Sequence, residues 1–196
     1  MSIEIPDTLL IEQDSLIKKP IHIGKGEILY FQSRIVGKHI FGRLIAGDIK
    51  QNGSRKNIRE STSIIDVRRS VAHISDEIYL WNDLSVHENL MNYMASIERS
   101  GYDNSASDIL KNFRVDLNQK VSSLSVEQKH ILNIAIGLGK DPDLILYDDP
   151  MSQFDINFYC AIMDRFYTQV VKKGVTLLST VLIPELQSKF PGRIIP

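Results

Sequence analysis

The sequence of 196 residues contains a single cysteine, Cys160, and this scarcity excludes several kinds of structure. One thiol cannot form a disulfide within the chain or a zinc site built from several cysteines, so a reduced, cytosolic setting is the simplest interpretation. No run of about 18 apolar residues occurs, so no segment is predicted to span a bilayer. The acidic N-terminus does not have the pattern of a signal peptide.

Net charge is also nearly absent, because 23 basic and 24 acidic residues leave a formal charge of −1. This balance gives no reason to expect nucleic acid or an anionic membrane surface as the main partner. A hydrophobic content of 43% and a charged content of 24% are ordinary for a soluble protein. The length allows one domain, or one domain with a subdomain, to bury a core.

One stretch, Ser122–Asp155, organises the rest of the chain. Its first part has apolar residues at helical spacing, which predicts an amphipathic helix: Ile131, Ile134, Ala135 and Leu138. The later run Leu144–Tyr147 is short and continuously apolar, as is typical of a parallel strand covered on both faces. Such a strand would place Asp148 and Asp149 at the carboxyl edge of a sheet, where open α/β sheets bind their ligands. Carboxylates at this edge are natural metal ligands.

Five segments of the sequence occur in the order and spacing of one known family. They are Gly26–Leu29, Gly37-Lys38, Leu124–Gln128, Asp148 and Ser152–Asp155. In that order they resemble the strand before the phosphate loop, the end of the loop motif G-x-x-x-x-G-K-[ST], the L-S-G-G-Q signature, the Walker B aspartate and the S-A-L-D loop. These are motifs of the ABC-type ATPases, the nucleotide-binding subunits of ABC transporters. One motif alone would be weak, but five in register cover nearly the whole chain.

The resemblance implies an α/β fold with a P-loop NTPase-like ABC ATPase core. The central sheet would be mostly parallel, with an N-terminal antiparallel β subdomain and a small α-helical subdomain. Residues 1–196 would form a single domain. Residues 1–76 and 141–196 would supply the β subdomain and the RecA-like core, and residues 77–140 the helical subdomain and the signature helix. The sequence agrees, since short apolar runs before Gln32 predict strands that pair antiparallel and then enter the central sheet.

The phosphate loop is strongly altered. A working loop uses glycines to turn backbone N–H groups toward the phosphates, a lysine for the β and γ phosphates, and a hydroxyl for Mg²⁺. Here Gln32 takes the first glycine position and His39 the hydroxyl position, so only Gly37 and Lys38 fit. Glutamine resists positive φ angles, and imidazole is a poor ligand for Mg²⁺. Either these residues still hold a nucleotide, or an ordinary helix begins at Gly37 with Lys38 solvated; the second interpretation is favoured.

The signature segment retains Ser125 and Gln128 at nucleotide-binding positions, but Val126 and Glu127 replace its two glycines. In the family, two cassettes pair head to tail, and the signature of one contacts the γ-phosphate held by the other. Glu127 would bring a negative charge toward that phosphate. The repulsion between two like charges 4 Å apart costs about 1 kcal/mol in water and several times more in a drier interface. Alternatively, Glu127 points into solvent in the first helical turn, where the helix dipole favours it.

The remaining positions that the family uses at the γ-phosphate are also changed. Asp76 replaces the Q-loop glutamine and would either bind the metal with Asp148 or cap a turn. Asp149 replaces the catalytic glutamate and is shorter by one methylene, which withdraws the carboxylate from the attacking water. Val181 replaces the switch histidine and can neither hydrogen-bond a phosphate nor relay a proton. Ser152 and Asp155 match the serine and the aspartate of the family's D-loop motif.

Three apolar or aromatic residues, Tyr79, Trp81 and Leu84, lie where the family docks its membrane permease. Clustered aromatic residues in such a loop are typical of an interface, and packing in the core of the helical subdomain is the alternative. The implied partners are therefore a permease and a second cassette, identical or different, with no nucleic acid. The implied location is cytoplasmic, peripheral to the inner or plasma membrane through a partner.

The altered motifs predict a pseudo-ATPase, because each lost electrostatic contact removes several kcal/mol of transition-state stabilisation. The leading hypothesis is a structural or regulatory cassette of an ABC-type membrane transport system, with ATP and Mg²⁺ bound weakly or not at all. One alternative is a divergent but active ATPase that uses Lys38 for phosphate, Asp148 for Mg²⁺ and Asp149 as general base. Another alternative is a soluble adaptor that is not attached to a transporter.

Overall fold

The fold consists of two β-sheets and the helices that pack against them. The computed structural model describes residues 8–11, 16, 21–45, 50–51, 54–57, 68–75, 79–148, 154–181 and 183–196. Within these residues the strands are β1 (Thr8–Ile11), β2 (Ile21–Gly24), β3 (Ile28–Phe31), β4 (Lys50–Gln51), β5 (Ser54–Asn57), β6 (Val71–Ile74), β7 (Leu144–Tyr147), β8 (Thr176–Ser179) and β9 (Arg193–Ile195). The helices are α1 (Arg34–Ile45), α2 (Val86–Ala95), α3 (Asn104–Asn112), α4 (Val126–Gly139), α5 (Ile156–Lys173) and α6 (Pro184–Lys189).

The central sheet has five strands in the order β6-β7-β8-β3-β9, and every neighbouring pair is parallel. The second sheet has the order β2-β1-β4-β5 and is antiparallel. This arrangement confirms the predicted α/β class, with a parallel central sheet and an N-terminal antiparallel sheet. Among the helices described, none combines the length and the apolar composition that spanning a bilayer requires.

The alternation of side chains along the central strands divides the core between the two faces of the sheet. In β7, Ile145 and Tyr147 belong to one apolar cluster, whereas Leu144 and Leu146 belong to the other. All four residues are buried. Full burial of an apolar side chain of this size stabilises the fold by about 1.5–3 kcal/mol. Because both faces of the strand are covered, the strand is apolar at every position.

Helix α4 packs closely against the edge strand β6 because it has a glycine at the contact. A Cβ atom on Gly137 would lie 2.7 Å from Cδ1 of Ile74 and 3.7 Å from Cβ of Ala72. One turn earlier, Asn133 donates a hydrogen bond to the Ser75 carbonyl oxygen at 2.7 Å. Followed from Gly137 back toward its first residue, the helix therefore extends past the carboxyl end of the sheet.

Two buried tyrosines make the stability of the fold sensitive to high pH. Burial raises the pKa of Tyr30 to about 12 and raises the pKa of Tyr167 well above its usual range. The Tyr30 hydroxyl donates to the Phe190 carbonyl oxygen at 2.8 Å, and the Tyr167 hydroxyl donates to the Ser179 hydroxyl at 2.9 Å. The folded chain thus favours the neutral phenols.

The contribution of these tyrosines to the free energy of unfolding is expected to be fully present and independent of pH below about pH 10, the unfolded pKa, and to fall as the pH rises from there toward 12. Urea titrations between pH 8 and 11 measure this slope. It should become shallower in Tyr30→Phe and stay unchanged in Tyr79→Phe, since the Tyr79 side chain is 89% exposed. Equal slopes in both variants would contradict the assignment.

Candidate functional site

The segment that would form the phosphate loop is helical. Only Gln32 and Ser33 separate β3 from α1, which begins at Arg34. The Gly37 N–H donates to the Ser33 carbonyl oxygen at 2.9 Å, and the Val36 N–H donates to the Ser33 hydroxyl at 3.3 Å. These two backbone N–H groups are therefore bonded within the first turn of the helix instead of facing a phosphate. The predicted helix is present, but it begins at Arg34 rather than at Gly37.

Lys38 is paired with the carboxylate that follows β7. Its Nζ lies 3.0 Å from Oδ2 of Asp148, and Nη2 of Arg34 lies 3.5 Å from the other oxygen, Oδ1. Arg34 and Lys38 are four residues apart, so they share one face of α1. The lysine side chain is 55% exposed, yet the expectation that it would be only solvated is wrong.

Asp148 is held by the protein on several sides, and its side chain is only 5% exposed. Its N–H donates to the Ile74 carbonyl oxygen at 2.8 Å. The Thr180 hydroxyl donates to its Oδ1 at 3.3 Å. A buried carboxylate with cations and a hydroxyl around it is well compensated, because paired and hydrogen-bonded charges avoid most of the cost of burial.

Gly37 is explained by packing between α1 and the end of β8. A Cβ atom at this position would lie 2.6 Å from Cγ2 of Thr180 and 3.3 Å from Cβ of Phe31. The glycine therefore allows the helix to approach the sheet closely enough for its two cations to reach Asp148.

The described residues do not have the phosphate-loop geometry that would hold a nucleoside triphosphate with Mg²⁺. The N–H of Gly37 is bonded inside a helix, and Lys38 and Arg34 contact Asp148. The half-buried His39 occupies the position where a hydroxyl would bind the metal. No group of three or more His, Cys, Asp or Glu side chains that could hold a metal ion occurs among the residues described.

Ser125 and Gln128 form a capping box at the start of α4. The Ser125 hydroxyl accepts from the Gln128 N–H at 3.2 Å, and Gln128 Oε1 accepts from the Ser125 N–H at 3.0 Å. Glu127 lies in the first turn of the helix, and a hydrogen bond from the Ser125 hydroxyl lowers the pKa of its carboxyl group. Local helix capping therefore accounts for both residues that the signature retains at nucleotide-binding positions.

The D-loop and switch positions also have structural contacts. Asp155 is the N-cap of α5, and its Oδ1 accepts hydrogen bonds from the N–H groups of Asn157 and Phe158, each at 3.0 Å. Val181 is fully buried in the core, and its N–H donates to the Ser179 hydroxyl at 3.1 Å. The valine thus belongs to the apolar interior.

The three positions proposed for permease docking differ in exposure. Tyr79 is 89% exposed and Trp81 is 46% exposed, whereas Leu84 is half-buried. The buried Asn89 fixes the segment, because it accepts from the Trp81 N–H at 2.9 Å and donates to the Trp81 carbonyl oxygen at 3.0 Å. The Trp81 ring also packs against Tyr93, with 5.1 Å between the ring centroids. Two aromatic side chains are thus presented on a fixed backbone.

Three predicted site residues lie outside the described residues: Asp76, Asp149 and Ser152. Their roles as metal ligand, general base and D-loop residue therefore stay predictions.

Sequence reasoning missed two groups that the structure brings to the site, Arg34 and Thr180. Arg34 could have been found from the four-residue spacing to Lys38 once the helix was extended backward. Sequence reasoning also missed a buried chain of hydrogen bonds between three side chains. His130 Nε2 lies 2.8 Å from the Tyr147 hydroxyl, and the Tyr147 hydroxyl lies 3.3 Å from the Tyr159 hydroxyl. No sequence signal pairs these three residues, because they belong to different elements.

Comparison with known proteins identifies the family. The family model described as ABC transporter matches residues 36–152, more than half of the chain. The chain belongs to the ABC transporter family. Members of this family generally bind ATP with Mg²⁺.

Individual relatives of the ABC transporter family are distant. The molybdate/tungstate import ATP-binding protein WtpC of Archaeoglobus fulgidus is 26% identical over 133 residues, which cover 66% of this chain and 55% of that protein. A phosphonates import ATP-binding protein, PhnC 1 of Synechococcus sp., is 25% identical and is matched over 81% of this chain and 68% of its own length. The chain thus spans little more than half of the first of these relatives.

A solved ATP-binding subunit of an ABC transporter has the same fold. The TM-score is 0.68 at 20% sequence identity, and the match covers 93% of this chain and 82% of that chain. At this identity the likeness establishes the fold, and the function has to be argued from the site.

Proposed function

We propose that this chain is a degenerate ATP-binding cassette of an ABC-type import system, with a structural or regulatory role and weak or no ATP hydrolysis. The observation that carries the proposal is the pairing of Asp148 with Lys38 and Arg34. These side chains form ion pairs with one another at the place where an active cassette would hold phosphate and metal. Import is supported by the names of the two relatives, which are both import ATP-binding proteins.

The proposed partners are a membrane permease and a second cassette. The exposed rings of Tyr79 and Trp81 support docking of a permease, because aromatic side chains on a fixed backbone lose little entropy on binding. The location would be cytoplasmic, peripheral to the membrane through that partner. Within this proposal residues 1–196 form one domain, in which residues 77–140 supply the helical subdomain and the signature helix.

A divergent but active ATPase is the second candidate function. It is favoured by the survival of Lys38, Ser125, Asp148 and Asp155 together, and by the half-exposed side chain of Lys38. The pairings described above weaken this candidate, because phosphate would first have to displace Asp148 from both cations. Ser125 and Asp155 have helix-capping contacts that account for their presence without a nucleotide.

Isothermal titration calorimetry with Mg-ATP tests the proposed function directly. We expect no binding tighter than about 1 mM, which corresponds to about 4 kcal/mol. The Lys38→Ala variant should behave like the unmodified chain, and Lys172→Ala, which removes an exposed lysine of α5, serves as the matched control. Binding tighter than about 100 μM that is lost in Lys38→Ala but kept in Lys172→Ala would overturn the proposal in favour of an active nucleotide site.

A further inference from the structure

A small cavity of about 130 Å³ lies beside β6, the last described strand at one edge of the central sheet. Residues three or four apart on α4 and its C-cap form one wall: Asn133, Ile136, Gly137 and Lys140. Tyr79 and Tyr93 belong to the rest of the lining. Lys140 follows the last residue of α4 and Ser125 precedes the first, so a helix about 20 Å long separates this lysine from the signature position.

Lys140 brings a positive charge to this cavity. The residue is half-buried, and its ammonium has no ion pair and no hydrogen bond among the residues described. Burial, together with the nearby charge of Arg68, lowers the pKa of its amine. The carbonyl groups at the end of α4 offset part of the cost of this charge, but a buried charge is stable only when an anion pairs with it.

Two carboxylates near this end of α4 are engaged by a different lysine. Lys173 Nζ lies 2.8 Å from Oδ1 of Asp103 and 2.5 Å from Oδ1 of Asp141. The N–H of Asp103 donates to the Gly139 carbonyl oxygen, which places this carboxylate beside the end of the helix. Neither carboxylate is left to neutralise Lys140, and a ligand can supply the missing anion.

The wall beside Lys140 is fixed and partly apolar. The Tyr93 hydroxyl donates to the Tyr79 carbonyl oxygen, and the Tyr93 ring packs against Trp81 with 5.1 Å between the ring centroids. Ile136 is 5% exposed and adds an aliphatic surface. A concave site with apolar walls and a few fixed polar groups is typical of small-molecule binding.

The charge of Lys140 and the size of the cavity select the class of ligand. One ammonium balances one negative charge, which is the charge of a carboxylate at neutral pH, whereas a phosphate monoester carries nearly two. A dry cavity of about 150 Å³ holds a benzene molecule, so this cavity admits a body of roughly that size or smaller. Small carboxylates with a short aliphatic or aromatic body match both conditions.

We propose that this cavity binds a small monocarboxylate. The carboxylate of the ligand pairs with the Lys140 ammonium, and its aliphatic or aromatic body lies against Ile136 and the ring of Tyr93. The site uses none of the residues at the nucleotide position. Carboxylate binding and the calorimetry with Mg-ATP therefore have independent outcomes.

Titration of the purified chain with acetate, butyrate and benzoate tests the site. Trp81 is the only tryptophan of the sequence and packs against Tyr93, so its fluorescence reports on the cavity, and isothermal titration calorimetry gives the affinity. We expect at least one of the three acids to bind with a dissociation constant of about 1 mM or tighter. The neutral amide of the same acid should bind at least about tenfold more weakly, because it lacks the charge.

Lys140→Met keeps an unbranched side chain of similar length and removes the charge. The variant should weaken carboxylate binding at least about tenfold, whereas Lys172→Met, which changes an exposed lysine of α5, should leave it unchanged. Without ligand, the thermal midpoint of Lys140→Met should equal or exceed that of the unmodified chain, since no ion pair is lost. A lower midpoint would show that Lys140 has a structural partner and would overturn the proposal.

Failure of all three carboxylates to bind also overturns the proposal, as does binding that Lys140→Met retains. Protection of Lys140 from reductive methylation only in the complex with a permease would assign the cavity to an acidic side chain of that partner instead. Each of these results leaves the proposed function standing.

Discussion

Replacing Gly37 with valine is expected to lower the free energy of unfolding by about 3 kcal/mol, the upper end for overpacking in a close contact. The new side chain would meet Cγ2 of Thr180, which lies only 2.6 Å from the position of a Cβ atom. Thr180 is 2% exposed, and turning its methyl group away also turns its hydroxyl away from Asp148. Urea unfolding measures the loss.

Gly42 supplies the matched control, because it belongs to the same helix and a Cβ atom added there would have no described heavy atom of another element within 4 Å. Valine has a higher helix propensity than glycine, so Gly42→Val should leave stability unchanged or raise it by a few tenths of a kcal/mol, roughly. If Gly37→Val proved as harmless as Gly42→Val, the glycine would not be required for packing. Its retention would then favour a phosphate-binding role.

Asp148→Ala is expected to destabilise the chain by about 2–4 kcal/mol. The variant removes the carboxylate that Arg34 and Lys38 share and takes this acceptor from the buried Thr180 hydroxyl. Removing one partner of a buried pair costs about 3–5 kcal/mol, and the half-exposed cations reduce this figure because they can return to water. Thermal or urea unfolding at neutral pH measures the change.

The comparison for Asp148→Ala is Asp155→Ala, which removes an exposed carboxylate that caps α5. Loss of an N-cap costs about 1 kcal/mol, so the Asp148 variant should be clearly the less stable of the two. Unchanged or increased stability in Asp148→Ala would mean that the fold keeps this carboxylate at an energetic cost. That result would favour a role in holding a ligand and would revive the active-ATPase alternative.

The elements that depend on local pattern could be predicted from the sequence. The apolar run Leu144–Tyr147 has the bounds of β7, and the predicted helix that follows Asp155 is α5. Both have many apolar residues at one regular spacing, and burial of that pattern decides the structure. The five motifs in register likewise predicted the parallel sheet, since they fix the order of strands and helices.

The contacts of the site could not be predicted, because they join residues that are far apart in the sequence. Lys38 and Asp148 meet only through the pairing of β3 and β7 with β8, and both the nucleotide-loop and the solvated interpretations overlooked this partner. The sequence places the start of α1 three residues late, because Gly37 resembles a helix boundary. This glycine is instead an interior position that faces Thr180.

The buried chain of His130, Tyr147 and Tyr159 has a consequence for how the molecule unfolds. It joins α4, β7 and α5 through hydroxyl and imidazole groups that have almost no access to water, and His130 is only 2% exposed. Opening any one of these elements alone would strand polar groups of the other two in an apolar interior. Partial opening is therefore penalised, and the three elements behave as one cooperative unit that is lost or regained together.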